Sequence, residues 1–270
     1  KLTYELSYSP FNEAVRTFNF YIKQYPASKH TDDAYSFLVQ AYMTTKNYKM
    51  ALESLDKIRD KDQEIEKAYQ RVSFYRGIEL FVNQRFNDAV SIFDKSLKFD
   101  KYDMKIKART YYWLAEAYYR EGDAQTAIDY YNLFLDEPSA IQTPEYKMVN
   151  YSKGYIAFSE KDYDEASTWF REYVSLENNK EQKTLADAYN RLGDCEFINS
   201  KYWRAIENYN KVIEYNKADV DYALFQKGFC YGLVDKPQQK LETLADLIKK
   251  YPNSTYIDDA FFETAKTNAL

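Results

Sequence analysis

A small-residue slot recurs along this chain at a nearly constant interval. Ala14, Ala51, Ala89, Ala127, Ala166 and Ala205 are separated by 37, 38, 38, 39 and 39 residues. Four residues after each comes a large apolar side chain: Phe18, Leu55, Phe93, Tyr131, Phe170 and Tyr209. Twelve residues before the last five alanines stand Val39, Gly77, Ala115, Gly154 and Gly193, nearly all very small. A seventh unit follows 35 residues on, with Gly228 in the glycine slot and Leu244 in the aromatic slot. A period of this length marks stacked supersecondary units, none of which buries a core alone. Each unit holds two segments of about 14 residues with apolar positions three and four apart, which predicts two amphipathic helices of roughly 21 Å. Four of the six glycines occupy one slot, where a missing side chain lets two helices approach. The prolines (Pro10, Pro26, Pro138, Pro144, Pro237, Pro252) fall between helices or at their starts, where a missing N–H costs least.

Within this frame Tyr111, Leu114, Ala115 and Tyr118, then Ala127 and Tyr131, follow the pattern W-x2-L-G-x2-Y…A-x3-F…P with conservative changes. Tyr189, Leu192, Gly193, Ala205 and Tyr209 follow it again, and Pro26 and Pro252 fill the closing proline slot. The chain is thereby similar to the tetratricopeptide repeat family over essentially its whole length. The resemblance implies an all-α fold, a TPR-like α-α superhelix: a right-handed solenoid of antiparallel helix pairs in a single array over 1–270. The units divide as a partial repeat at 1–30, repeats at 31–68, 69–106, 107–145, 146–183, 184–219 and 220–254, and a partial repeat at 255–270. Residues 1–9 read as the tail of a first helix and 255–270 as a leading helix without its mate. The expectation is therefore a fragment of a longer protein, with further repeats at both ends. The segments YPASKHTDDAY (25–35) and YPNSTYIDDAF (251–261) resemble junctions of bacterial envelope tetratricopeptide proteins. Those include outer-membrane assembly lipoproteins and the Tol–Pal-associated cell-division coordinator, which implies a periplasmic or outer-membrane-associated setting.

Several positions depart from the pattern. Lys240 fills the small slot of the last full unit, so either the helices open there or the lysine reaches along the surface to water. Arg76, Lys153 and Lys227 stand where Leu is usual, and Asn150 where an aromatic is.

The resemblance also implies that the first helix of each unit faces the concave side. A second stripe on those helices, offset from the core slots, reads Arg71, Phe74, Ile78 and Phe81, then Arg109, Tyr112, Glu116, Tyr119 and Arg120. It continues as Tyr151, Tyr155 and Phe158, then Asp187, Asn190, Asp194 and Phe197, and last Tyr222, Phe225 and Phe229. A merely solvated face would be polar throughout. This one is mostly aromatic with a few charges, the composition of a recognition surface, although packing between repeats draws on the same positions. The expectation is a non-enzymatic protein–protein interaction scaffold binding a peptide or partner helix in an aromatic groove. Replacing Tyr155 and Phe158 by Ala should then weaken the partner with little change in stability. The alternative is a glycan-binding or envelope-uptake accessory protein, since tyrosine-rich grooves also stack on sugar rings.

Composition narrows the rest. A net charge of −5 argues against a nucleic-acid footprint, and no run of 18 apolar residues offers a membrane span. No phosphate loop, nucleophile–base pair or metal-ligand spacing is present, so no catalytic, cofactor or metal residue is assigned. His30, the only histidine, sits in a connector. Cys195 and Cys230 each follow a slot glycine by two residues, where Ala41 and Ala117 stand elsewhere; they read as small buried residues and leave the compartment open. Aspartates 32–33 and 258–259 open helices, where carboxylates satisfy free N–H groups. The charge run at 60–67 is a solvated connector, and the sequons at Asn150 and Asn253 are short enough to arise by chance.

Overall fold

A computed structural model describes residues 10–179 and 181–269, so the helix tail read at 1–9 lies outside the described residues. The chain falls into two compact units, 1–145 and 146–270. The first contains α1 (Pro10–Gln24), α2 (Thr31–Thr44), α3 (Tyr48–Lys57), α4 (Gln63–Val82), α5 (Phe86–Leu97), α6 (Met104–Arg120), α7 (Ala124–Asp136) and a 3-10 turn, Ala140–Gln142. The second contains α8 (Met148–Ser159), α9 (Tyr163–Leu176), α10 (Lys183–Ile198), α11 (Tyr202–Tyr215), α12 (Val220–Leu233), α13 (Pro237–Lys250) and α14 (Ile257–Asn268). All regular structure among the described residues is helical, as the period predicts.

Every hairpin turns in the same way. Lys46, Gln84, Gly122, Lys161, Ser200 and Asp235 have φ of 55, 58, 88, 64, 58 and 55°, in the left-handed region. The following N–H then reaches back five residues, as in Asn47→Tyr42 at 2.8 Å, Arg85→Leu80 at 2.9 Å, Asp123→Tyr118 at 3.0 Å and Lys201→Glu196 at 2.8 Å. That bond satisfies a carbonyl that the end of the leading helix would leave unpaired. In three hairpins the same residue caps the next helix: Asn47, Asp123 and Asp162 accept from Met50, Thr126 and Glu165 N–H at 3.2, 3.1 and 3.0 Å. One residue thus closes one helix and opens the next. The Thr126 hydrogen bonds hold the Asp123 carboxyl below its ordinary pKa.

Helix starts differ from the divisions drawn by the period. α4 begins at Gln63 and α6 at Met104, upstream of 69 and 107, because Asp62 and Asp103 cap there. The Asp62 carboxylate accepts Ile65 N–H at 2.9 Å, and Asp103 accepts those of Lys105 and Ile106 at 3.0 Å. The aspartate pairs at 32–33 and 258–259 do sit in first turns, but His30 and Tyr256 hold the cap positions with no side-chain bond. Their carboxylates favour the helix dipole rather than cap it.

The glycine and aromatic slots meet face to face. A Cβ on Gly77 would stand 2.3 Å from the Phe93 ring, on Gly193 2.4 Å from Tyr209, and on Gly154 2.9 Å from Phe170. Phe93, Tyr131, Phe170 and Tyr209 are all fully buried. Where the aromatic is tyrosine, its hydroxyl must be satisfied inside the protein. Tyr131 donates to Glu116 at 2.6 Å and Tyr209 to Asp194 at 2.8 Å, each acid standing one residue after the small slot. The phenylalanine hairpins carry Ile78 and Tyr155 at that position instead.

Lys240 neither opens its hairpin nor reaches water. It is 7% exposed, lies over Gly232, and its Nζ is 2.5 Å from Glu263 Oε2 on α14. Two other cations in place of leucine find rings: Lys153 Nζ is 3.8 Å from the Trp169 centroid and Lys227 Nζ 5.7 Å from that of Tyr231. Arg76 pairs with Glu79 at 2.7 Å.

Candidate partner-binding surfaces

In the second unit the leading helices α8, α10 and α12 bring rings and charges together. Tyr151 and Tyr155, one turn apart on α8, both donate to Asp187 Oδ2 on α10, Tyr151 at 2.7 Å. Burial and the neighbouring Asp187 carboxylate push both phenols above their ordinary pKa, so they remain donors. Asp194 Oδ1 accepts from Tyr209 at 2.8 Å and from Tyr222 of α12 at 2.7 Å. Arg191 lies among them: its guanidinium is 2.7 Å from Asp194 and 3.8 Å from Asp187, and its carbon is 5.5 Å from the Phe158 centroid and 5.7 Å from that of Tyr222. Burial raises the Asp194 pKa despite this cation. Beyond the network, rings continue one against another: Phe197 on Phe229 at 6.0 Å, Phe229 on Phe225 at 6.4 Å, Phe225 on Tyr256 at 5.4 Å. These rings are half-buried, with edges or faces open to solvent.

The first unit offers a different surface. Between α4, α6 and the connector 137–145 lies a cleft of about 460 Å³, lined among others by Lys67, Arg71, Tyr75, Tyr102, Lys105 and Arg109. The connector forms one wall with Gln142, Thr143 and Pro144. Its last residue, Glu145, is buried and holds Arg109 Nε at 2.9 and 3.1 Å and Trp113 Nε1 at 3.1 Å. Arg109 in turn lies 4.9 Å over the Phe74 ring.

Of the stripe expected to face a guest, five members are packed inside. Phe74 and Asn190 are fully buried, and Tyr112, Glu116 and Asp194 are 5, 8 and 7% exposed. Phe74 and Tyr112 fill space against Phe93 and against Tyr131 and Phe134, while Glu116 and Asp194 serve the buried tyrosine hydroxyls. Arg71 and Arg120 are exposed. Ile78, Phe81, Arg109, Tyr119, Tyr151, Tyr155, Phe158, Asp187, Phe197, Tyr222, Phe225 and Phe229 are half-buried. Tyr155 also packs 5.3 Å from Phe170, so its replacement by Ala removes core contacts and cannot isolate a binding effect. Arg191, Lys67 and Lys105 were outside the stripe. Arg191 had a sequence signal in the Asp187–Arg191–Asp194 spacing, which sets unlike charges at i,i+4 and i,i+3.

Cys195 and Cys230 are free, buried thiols pushed up to about 12 by burial, which keeps them protonated and inert near neutrality. No group of three or more His, Cys, Asp or Glu among the described residues is arranged to hold a metal ion. No described helix is long and apolar enough to cross a membrane.

Tetratricopeptide repeat profiles match residues 74–140, 149–180 and 222–254. No curated protein matches the sequence. Among solved structures, one similar fold is the C-terminal part of a TPR repeat-containing protein from Cytophaga hutchinsonii, at 17% identity over 93% of this chain and 94% of that one, with a TM-score of 0.61. Another is YrrB, described as a TPR protein with an unusual peptide-binding site, at 18% identity over 81% and 97%, TM-score 0.59. A third is PilF of Pseudomonas aeruginosa, at 17% identity over 88% and 96%, TM-score 0.55. Likeness at such identities concerns the fold alone. Profiles and slot geometry agree that residues 74–140, 149–180 and 222–254 are tetratricopeptide repeats, and the fold of the chain is that of a tetratricopeptide solenoid.

Proposed function

We propose that the chain is a non-enzymatic scaffold that holds a protein partner, as an extended peptide or a helix, against its leading helices. The observation that carries this reading is the half-exposed run of rings Phe197, Phe229, Phe225 and Tyr256, continuous with the Arg191 network. Rings held in place by packing lose little freedom when a partner arrives, which favours them as anchors. The tyrosine hydroxyls are already committed to Asp187 and Asp194, so contact there would be through ring faces and the guanidinium. The junctions at 25–35 and 251–261 add an extracytoplasmic bacterial setting, which fractionation of the native protein tests.

Peptides selected from a displayed library on the full chain should lose about tenfold or more in affinity when Phe225 and Phe229 are both replaced by Ala. Trp203→Ala on α11, 53% exposed, should leave binding unchanged. Equal losses in both variants, or no selected peptide at all, would sink the scaffold reading. A glycan bound in place of any peptide would favour the sugar-stacking alternative.

A further inference from the structure

Two successive leading helices carry the same pair of cations. Lys67 and Arg71 stand one turn apart on α4, and Lys105 and Arg109 stand 38 residues later, one turn apart on α6. The matching positions of the next three units hold Pro144 and Met148, Lys183 and Asp187, and Ala218 and Tyr222. All four cations line the cleft of about 460 Å³ in the first unit. Like charges one turn apart on a helix repel, and two such pairs around one hollow repel further. Glu145 neutralises Arg109, and Asp103, the one acid in the lining, is engaged in capping α6. Lys67, Arg71 and Lys105 form no ion pair among the described residues. Cations beside the cleft do: Lys101 meets Glu66 at 3.1 Å, and Lys107 meets Glu137 at 2.6 Å. Three positive charges are thus left unneutralised at one hollow, in a chain whose net charge is −5.

We infer that this cleft binds a small phosphorylated polyol, with its phosphate among Lys67, Arg71 and Lys105 and its hydroxyls toward Gln142 on the connector. A phosphate brings about two negative charges and three acceptor oxygens to one point, which suits three cations at a single hollow. Helices α4 and α6 and the wall at 142–144 bound the cleft on three sides, and its volume is that of a site for one small ligand. A nucleobase finds no open ring to stack on. Tyr48 lies against Tyr75 at 5.3 Å, Arg71 is 6.0 Å from the Tyr75 centroid, and Lys101 is 4.9 Å from that of Tyr102. The site is separate from the ring surface of the second unit and does not rest on the scaffold reading.

The test is calorimetric titration of glycerol 2-phosphate and pyrophosphate into the full chain at fixed ionic strength. Both should bind saturably at one site, and glycerol 2-phosphate more weakly below about pH 6, where the phosphate takes up a proton. Arg71→Gln and Lys105→Gln should each weaken both probes about tenfold. Lys211→Gln, on α11 and paired with Glu214 at 3.0 Å, should leave them unchanged. Because the cleft substitutions relieve repulsion, neither should lower the thermal midpoint without ligand, which separates lost binding from lost folding. Absence of saturable binding by either phosphate, or an equal loss in Lys211→Gln, would overturn the inference. So would an acidic peptide or a single-stranded oligonucleotide that binds the cleft more tightly than pyrophosphate. A lower ligand-free midpoint in both cleft variants would also overturn it, since the cations would then serve the fold.

Discussion

A methyl group distinguishes what the glycines of this chain do. At Gly77 and Gly193 an added Cβ would overlap the ring opposite, at 2.3 and 2.4 Å, whereas at Gly154 the nearest ring atom is 2.9 Å away. Overlap of this kind must be relieved by displacing a fully buried aromatic, and overpacking costs about 1–3 kcal/mol. Gly77→Ala and Gly193→Ala should therefore lower the urea midpoint clearly, and Gly154→Ala by less. Equal losses at all three would show that the ring is not the obstacle. Gly122 is of another kind: nothing lies within 4 Å of its missing Cβ, but its φ is +88°. There the backbone, not the neighbour, selects glycine. Lys240 shows the same economy in reverse. A long charged side chain occupies a small slot because Gly232 leaves room for its stem and Glu263 awaits its ammonium. Removing that carboxylate would strand a buried cation, which is more costly than never having placed it there.

At the scale of the element, the six hairpin turns share one left-handed residue and one backward hydrogen bond, yet only Gly122 is a glycine. Lys161 and Gln84 hold φ of 64 and 58° with a Cβ that crowds the following carbonyl. Lys161→Gly and Gln84→Gly should each stabilise the protein, by about 0.5–1 kcal/mol after the entropy of the freer unfolded chain is counted. A rise in thermal midpoint checks this, and a fall at both sites would show the turns are unstrained. These turns also mark where sequence reading stopped. The slots were legible because a small residue and a large one recur at fixed separation, and steric fit permits few substitutes at either. Apart from the one marked by Gly122, the turns were not, since Lys, Gln, Ser and Asp hold the left-handed position in the others and leave no common letter. The guest-facing stripe was legible in position but not in depth. Tyr131 and Tyr209 each draw an acid inward, so Glu116 and Asp194 are buried by a residue 15 positions away rather than by their own helix pattern. The basic cleft escaped notice because Lys67 and Lys105 lie toward the starts of their helices, upstream of the repeating slots, and gain meaning only from the connector wall at 142–144.

At the scale of the whole molecule, each hairpin depends on its neighbours, and each of the two compact units has buried clusters of its own. In stacked repeats stability is approximately a sum of intrinsic and nearest-neighbour terms, so a lesion is felt locally before it is felt everywhere. Phe170 is a suitable probe. It is fully buried on α9, faces Gly154, and has Tyr151 and Tyr155 rings at 6.1 and 5.3 Å. Phe170→Ala should cost about 3–5 kcal/mol through lost burial and the cavity left behind. Backbone amides of α8 to α11 should then exchange with deuterium faster, at denaturant concentrations where those of α4 to α7 are still protected. Denaturation followed by circular dichroism should separate into two steps, since the unaltered repeats retain their own neighbours. A uniform acceleration across both units, with a single sharp transition, would mean that the chain unfolds as one cooperative block and that neighbour stacking reaches across its full length.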